Sequence, residues 1–546
     1  MLLMMYFMLI TSMLFLILSI YMMYFNTFIY IIIPMTKLIS INLPISMILD
    51  WISCLFLSTV TIISSMILMF SMYYIPTNEH KQFSLMLIMF IMSMMILILS
   101  NNLFFMLLGW DMLGMSSYIL VVFYQNHLSS SSGSITLLSN RIGDIFILLS
   151  ISTLITQSYW ETNMNEKFML ITMMMLMMAG CTKSAQFPFS AWLPMAMSAP
   201  TPISALVHSS TLVTAGIFLM IRITSNNHTN TLFILMMISS LTAIYSSMSA
   251  NWEQDMKKII ALSTLSQMAM MMFSISIMSS SLAYFHMIIH AFFKSLMFMC
   301  AGIMIHESSY QDMRKMSNNS MNITLTSSIL GISNAALMAI PFTSGFFSKD
   351  MIIEKMISSK SECMLTMMMI TSIGLTATYS LRMINLSNKM KIKSKPDMTN
   401  HTNNMSNIPI ILMSPTAIMM GSMMLWSINP EQLMLFPNNF KKIIIIMLMT
   451  GMLMGTMLSY KTFNFKLLGQ SSIALWAIHF LSTKMMTLLT PLMKNFLNND
   501  KNWQEMYGPK NSFNLSTTIT LLPESTKMSM LTMIILILIM PFVLMY

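Results

Sequence analysis

The chain has 546 residues, 56% of them hydrophobic and only 8% charged, with a mean hydropathy of +0.71. A soluble domain carries about 25% charged residues, so this composition excludes a water-borne globular fold. Lys and Arg number 28 against 18 Asp and Glu, a formal net charge of +10. In so apolar a chain that excess marks loops held on the negative face of a membrane rather than a nucleic-acid surface.

In chain order, residues 1–100 read as N-terminal transmembrane helices. Leu2–Tyr24 has no basic segment before it and no small-residue cleavage site, so it reads as a first span. Ile52–Ser71 and Phe83–Ser100 follow, on either side of the polar connector Pro76-Thr-Asn-Glu-His-Lys81. Runs of roughly 20 residues, enough to cross about 30 Å of hydrocarbon, recur along the chain, about fifteen or sixteen in all. Backbone groups cannot go unpaired in lipid, so the spans are helices and the protein is all-α and polytopic. Residues 101–390 form a core that holds most of the ionisable groups placed inside apolar runs. Lys389, Lys391, Lys393 and Lys395 lie in a loop, and residues 391–492 return to apolar spans. Residues 493–527 are too polar to cross. Lys494, Asp500, Lys501, Trp503, Glu505 and Lys510 are mixed there with apolar residues, which predicts an amphipathic helix along the interface, broken by Gly508-Pro509. Residues 528–546 form a terminal transmembrane anchor.

Within the core, Lys183, Lys294 and Lys349 stand in or against strongly apolar runs. A charge at mid-bilayer costs ~2.5–3.5 kcal/mol even on lenient insertion scales, so such groups mark ion or proton pathways. Lys183 and Lys349 both adjoin Pro-containing breaks, Gln186-Phe-Pro-Phe with Ala199-Pro-Thr-Pro202, and Ile340-Pro-Phe-Thr-Ser-Gly345. Interrupted helices in two halves are the sequence sign of inverted repeats. A snorkelling anchor is the plainer reading of Lys183. Asp111 lies in Leu107-Leu-Gly-Trp-Asp-Met-Leu-Gly114. A buried lone carboxylate is protonated or paired, and Lys183 on a facing helix is the expected partner; a span-end cap is the alternative. Arg141 and Asp144, three apart, either form a structural ion pair or gate that couple. His208 follows the Pro200/Pro202 break among hydroxyls, as a satisfied core residue or a proton relay.

His286, His290 and Lys294 recur at i, i+4 and i+8, which drifts only about 80° around a helix and forms one stripe. Steps of about 6 Å suit one intervening water each. Two His at i, i+4 can also bind zinc, but no HExxH and no nearby thiolate accompany them. Lys257 and Lys258 read as interfacial anchors, with Lys258 able to face inward. Lys349-Asp350 is an exit gate or a helix end, and Arg382 an interfacial anchor.

Cys54, Cys181, Cys300 and Cys363 lie far apart in apolar sequence, with no CxxC, and read as small buried residues; no iron–sulfur ligation is expected. No GxGxxG and no Walker loop is present, so no nucleotide or flavin site and no metal site is expected. The 77 methionines exceed what gap filling explains. A mitochondrial code that reads an isoleucine codon as methionine in an AT-rich genome yields such a count.

The strings Asp50-Trp-Ile-Ser, Leu108-Gly-Trp-Asp-Met-Leu-Gly, Asn140-Arg-Ile-Gly-Asp, Lys183-Ser-Ala-Gln-Phe-Pro-Phe-Ser-Ala-Trp-Leu-Pro, Ala199-Pro-Thr-Pro-Ile-Ser-Ala-Leu-Val-His, Gln254-Asp-Met-Lys-Lys, His286-Met-Ile-Ile-His-Ala-Phe-Phe-Lys and Pro341-Phe-Thr-Ser-Gly-Phe-Phe-Ser-Lys-Asp occur in that order. Together they resemble the mitochondrial NADH dehydrogenase subunit 5 family, the distal antiporter-like subunit of respiratory complex I. The family commonly carries glutamate where Asp111 stands. The resemblance implies two inverted five-helix repeats broken at Lys183 and Lys349, a lateral helix along the matrix face, and a last span. It implies proton translocation, with Asp111 and Lys183 as coupling pair, His208, His286, His290 and Lys294 as central axis, and Lys349 on the exit side; Lys258 and Asp350, read from the residues themselves, are further candidate positions. It implies a place in the mitochondrial inner membrane beside other complex I membrane subunits, a neighbouring antiporter-like subunit among them, with lateral-helix contacts and lipids including cardiolipin. FMN, iron–sulfur clusters and ubiquinone are then expected in partner subunits and not in this chain. A stand-alone cation/proton antiporter and a structural arm that carries no protons are the rival readings.

Overall fold

The computed structural model describes residues 1–38, 41–156, 169–224, 228–316, 324–358, 363–388, 404–428, 438–460, 466–473 and 478–504, with 508, 511–512, 514 and 534–535. Lys389, Lys391, Lys393 and Lys395, most of 505–527, and nearly all of the expected last span lie outside the described residues.

The described chain is helical apart from one hairpin. Helix α1 (Leu2–Phe25) leads to strands β1 (Ile29–Leu38) and β2 (Ile41–Leu49). The strands pair antiparallel from Ile29↔Leu49 to Leu38↔Ile41, with a register shift between Pro34 and Thr36. The sequence reading did not anticipate this hairpin. Its cue is the β-branched run Ile31-Ile-Ile33, which favours a pleated strand over a helix. Next come α2 (Trp51–Tyr74), α3 (His80–Leu99), α4 (Leu103–Val121), α5 (His127–Ile155), α6 (Leu170–Lys183) and α7 (Thr201–Ile223), then α8 (Thr229–Trp252), α9 (Met256–Ser276) and α10 (Ser280–Ser308). After these lie α11 (Thr324–Met338), α12 (Ser344–Ser358), α13 (Cys363–Ser387), α14 (Asn404–Met413), α15 (Thr416–Ile428), α16 (Asn438–Tyr460) and α17 (Lys466–Ile473). Twelve described helices are long and apolar enough to cross a membrane. The apolar helices α6 and α11 are too short to cross alone.

Hydroxyls abound in these apolar helices, and the helices absorb them. In α2, Ser58, Thr59, Thr61, Ser64 and Ser65 each donate to a carbonyl three or four residues back, at 2.6–3.0 Å. A polar group satisfied within its own helix can face lipid or core at little cost. Helix α1 turns Leu3, Phe7, Leu14 and Ile17 outward, as a lipid-facing helix does. By contrast α7, α9 and α10 are buried along their whole apolar windows and form the central axis.

Both short helices end in the same way. Helix α6 ends with Ala185 in the left-handed region (φ 54°), Gln186 N–H closing on Cys181 O at 2.9 Å, and Pro188 two residues on. Helix α11 ends with Ala339 left-handed (φ 63°), Ile340 N–H closing on Ala335 O at 3.2 Å, and Pro341 following. A left-handed residue that closes a six-residue loop, then a proline, stops a helix. Beyond the first break the chain resumes as a short turn, Trp192–Met195 and Ala196–Ser198. Past the second it resumes as α12. Five spans, α3, α4, α5, the broken α6 and α7, therefore match α8, α9, α10, the broken α11–α12 and α13. An odd number of spans per set turns the second set upside down, so these are inverted repeats. Two contacts mark opposite ends of the bundle. Arg222 at the end of α7 pairs with Asp50 beside the hairpin at 2.5 Å. Tyr73 at the end of α2 meets His306 and Glu307 of α10.

Residues 477–546 form a second compact unit. Its described helix is α18 (Ile478–Asn498), followed by a π turn over Asn499–Gln504. The helix therefore starts before the stretch 493–527 expected from polarity. Leu488, Leu492, Phe496 and Leu497 are exposed on it.

A Cβ at Gly345 would fall 1.9 Å from Ala336 O, because the second break folds α12 back against the end of α11. Gly345→Ala is expected to cost about 1–3 kcal/mol by overpacking, read as a lower thermal midpoint of the assembled protein.

Candidate functional site

Lys183 is the last residue of α6 and is fully buried. Its Nζ donates to Trp110 O at 3.0 Å and lies 4.6 Å from the Trp110 ring centroid. The expected direct pair with Asp111 is not formed. Asp111 sits one residue along α4, turned to the other side, where Oδ2 is 3.8 Å from Arg141 Nη1. Arg141 also holds Asp144 at 3.2 Å, as its i, i+3 spacing predicts. Both carboxylates remain within electrostatic reach of Lys183, Asp144 acting more strongly than Asp111. The sequence reading gave Lys183 one carboxylate; the fold gives it two, at longer range, bridged by an arginine. Gly143 makes this approach possible, since a Cβ there would lie 2.2 Å from Thr182 Oγ1.

His208 lies in a π segment, Ser204–Thr211, inside α7. Such single π turns disturb the normal hydrogen-bond ladder and gather at functional positions. The side chain is buried, and neither ring nitrogen has a protein partner.

Of the two adjacent lysines at the start of α9, Lys257 is the buried one. Its Nζ donates to Ala199 O, just past the first break, at 3.1 Å. Lys258 faces outward and pairs with Asp255 at 3.0 Å, so of the two expected anchors it is Lys257, not Lys258, that turns inward. Hydropathy could not separate the two, because α9 is buried on every side.

His286, His290 and Lys294 do form a buried stripe on α10. His286 Nδ1 is 2.8 Å from Ser348 Oγ, and Nε2 is 3.1 Å from Gln267 Oε1. His290, with its ring 6.3 Å from that of His286, has no protein partner at either nitrogen. Lys294 Nζ donates to Ser263 Oγ. Lys349 is fully buried on α12 and donates to Leu337 O at the C-terminal end of α11. Lys294 and Lys349 are close enough for their charges to interact. Asp350 points the other way, into an apolar cavity of about 670 Å³ that Glu354 also lines.

Arg382 is not an interfacial anchor but a buried clamp. It donates to Ala250 O, Asn251 O, Glu253 O and Gln254 Oε1 at the end of α8. Burial there pushes the Glu253 carboxyl above the usual carboxylate range, and Lys258 pulls it back. Cys54, Cys181 and Cys300 are buried as expected, whereas Cys363 is exposed. Among the described residues no three His, Cys, Asp or Glu side chains converge as a metal site would require. Besides Lys257, the sequence reading missed Gln267 and Ser348. Nothing in a Ser-Gln pair within an apolar helix signals a bond to a histidine 19 residues away.

Inverted repeats with two broken helices and a line of buried cations between them define an antiporter-like ion-translocating membrane subunit. The solved Mrp complex from Dietzia sp. DQ12-45-1b has the same fold, with a TM-score of 0.72 at 19% identity over 88% of this chain and 57% of that one. Residues 100–376 match the family model for the NADH:quinone oxidoreductase/Mrp antiporter transmembrane region. Residues 36–84 match that of the NADH-ubiquinone oxidoreductase (complex I) chain 5 N-terminus, and 379–546 that of the NADH dehydrogenase subunit 5 C-terminus. NADH-ubiquinone oxidoreductase chain 5 of Aedes aegypti is 39% identical over 500 residues, 87% of this chain and 85% of the relative. That of Lumbricus terrestris is 38% identical over 502 residues, 88% and 86%. The chain belongs to the NADH-ubiquinone oxidoreductase chain 5 family: it is an antiporter-like, proton-pumping membrane subunit of complex I, and other complex I subunits are its partners.

If Lys257 is the inward cation, Lys257→Met should lower proton-coupled NADH oxidation by roughly tenfold or more, the scale of a lost proton-transfer group. Lys258→Met should stay within twofold of the parent. Equal losses in membranes with normal assembly would reverse the assignment.

Proposed function

We propose that protons cross this subunit along Asp111, Arg141, Asp144 and Lys183, then His208 and Lys257, then His286, His290 and Lys294, and leave by Lys349 and Asp350. One observation carries the proposal. Lys183, Lys257 and Lys349 are each buried against a single backbone carbonyl, without a carboxylate in direct contact. A lysine held by a neutral oxygen can release its proton without leaving an unpaired anion behind, whereas a lysine in a tight buried ion pair cannot. Two ammonium groups within reach of one another repel, so a proton arriving at Lys294 favours departure from Lys349. Orphaned nitrogens on His208 and His290 call for water between these stations.

In this reading residues 101–390 are the translocating core, and the spans and lateral helix around it serve assembly. The chain carries no redox centre. FMN, iron–sulfur clusters and ubiquinone chemistry belong to partner subunits, and coupling arrives through a neighbouring antiporter-like subunit in the mitochondrial inner membrane. Lateral-helix contacts and lipids, cardiolipin among them, hold the assembly. Moving one charge against the potential costs about 2.3 kcal/mol per 100 mV, which only a driven change in hydration or proton affinity can supply.

The test is Lys294→Met and Lys183→Met, made separately in assembled complex. Each is expected to cut NADH-driven proton movement by about tenfold or more while leaving NADH oxidation by artificial acceptors intact. An unchanged proton-to-electron ratio in both would favour a structural arm. Sodium-dependent transport by the isolated chain would favour an antiporter.

A further inference from the structure

The cavity into which Asp350 points holds about 670 Å³ and is walled by side chains of α11, α12, α13, α15 and α16. That is the volume of a small-molecule site. Pro341, Ile445 and Met449 line it and are exposed on the outside of the bundle. Ile445 and Met449 lie in a helix apolar enough to cross the membrane, so the cavity opens sideways, toward lipid rather than water.

Its wall is hydrocarbon almost throughout, with two exceptions. Asp350 and Glu354 both line it. Four residues apart on α12, they lie on one face, about 6 Å apart along the helix axis. Among the described residues that line the cavity none is Lys, Arg or His. This combination selects its occupant. An anion is repelled by both acids, and a neutral chain gains from the wall alone. A calcium ion needs six to eight oxygen ligands in place of its water, more than two carboxylates among methyl groups provide. A protonated amine on a hydrocarbon chain uses everything present. Its ammonium donates charge-assisted bonds to the acids, the neighbouring rings of Phe346 and Phe347 suit a cation, and its chain covers the apolar wall.

We propose that this cavity is a binding site for a single-chain protonated amine that enters from the membrane, with its ammonium held by Asp350 and Glu354. The site itself stands on the cavity and its two acids; what occupancy does rests on the reading of Lys349 and Asp350 as the proton exit. Asp350 is within electrostatic reach of Lys349. An ammonium bound at Asp350 takes the acceptor that a proton leaving Lys349 would use, so a filled cavity closes the exit.

The test uses assembled complex in lipid membranes. Dodecylamine is the probe, and dodecanol and dodecanoate are neutral and anionic controls with the same chain. A dodecylamine that carries a diazirine at its chain end is cross-linked by light, and the labelled peptides are mapped. Label is expected within 338–354 or 444–452, competed by dodecylamine and by neither control. Glu354→Gln is expected to raise the concentration for half-maximal labelling by about tenfold or more. Met449→Trp adds bulk at the exposed mouth and is expected to abolish labelling. Equal competition by dodecanol would show an apolar slot without charge selection and overturn the proposal. Label spread evenly over the lipid-facing helices, or unchanged in both variants, would overturn it too. If Glu354→Gln fails to assemble, Met449→Trp decides alone. Saturating dodecylamine is expected to cut NADH-driven proton movement by about tenfold or more in the parent but not in Met449→Trp, which shares any general effect of the amine on the bilayer. Label in the cavity without that difference would uphold the site and overturn the exit at Asp350. Absence of label, while Lys294→Met still abolishes pumping, would overturn the site and leave the proton path intact.

Discussion

Everything in the core is arranged around one interaction: a lysine ammonium, out of water, resting on a backbone carbonyl near a helix break. Lys349 rests on Leu337 O and Lys257 on Ala199 O, both at interruptions in the chain. Helix ends offer carbonyls that have no partner in the ladder, and they carry partial negative charge. A break inside the membrane therefore makes a cation site without a carboxylate. The left-handed alanines, the prolines after them, and the glycines that let neighbouring backbones close in all serve to hold such ends at the centre of the bundle. Both lysines belong to the second repeat, but the carbonyls they rest on come from the breaks of opposite repeats.

Carboxylates are kept at one remove. Asp111 and Asp144 share Arg141, and Lys183 senses them without touching them. A direct salt bridge would bind the proton on Lys183 tightly and stop it moving. The bridging arginine is half-exposed, so the field at Lys183 can change through small movements of its side chain.

Much of this was legible in the sequence because charge in an apolar run is costly and therefore conspicuous. Lys183, Lys294, Lys349 and the histidine stripe stand out for that reason, and the structure buries all of them; the two breaks show by their prolines instead, and there Phe187, Pro188, Pro341 and Phe342 are exposed. What the sequence hid is orientation. Lys257 and Lys258 are neighbours in a helix buried all round, so no amphipathic face tells which points inward. Asp111 lies one residue from the contact point with Lys183, and the rotation of α4 decides that the carbonyl of Trp110, not the carboxylate of Asp111, meets the amine. The hairpin at Ile29–Leu49 was hidden for another reason: its β-branched cue, Ile31-Ile-Ile33, is only three residues long and sits within an apolar run. Bonds between uncharged groups, such as Gln267 to His286, leave no compositional trace.

The hydroxyls of α2 carry a last implication. Each donates its hydrogen to a carbonyl of its own helix, so a helix rich in serine and threonine keeps these hydroxyl hydrogens occupied within itself. Polar composition and apolar behaviour are thereby uncoupled: the wall carries hydroxyls without leaving their donors unpaired in an apolar surround.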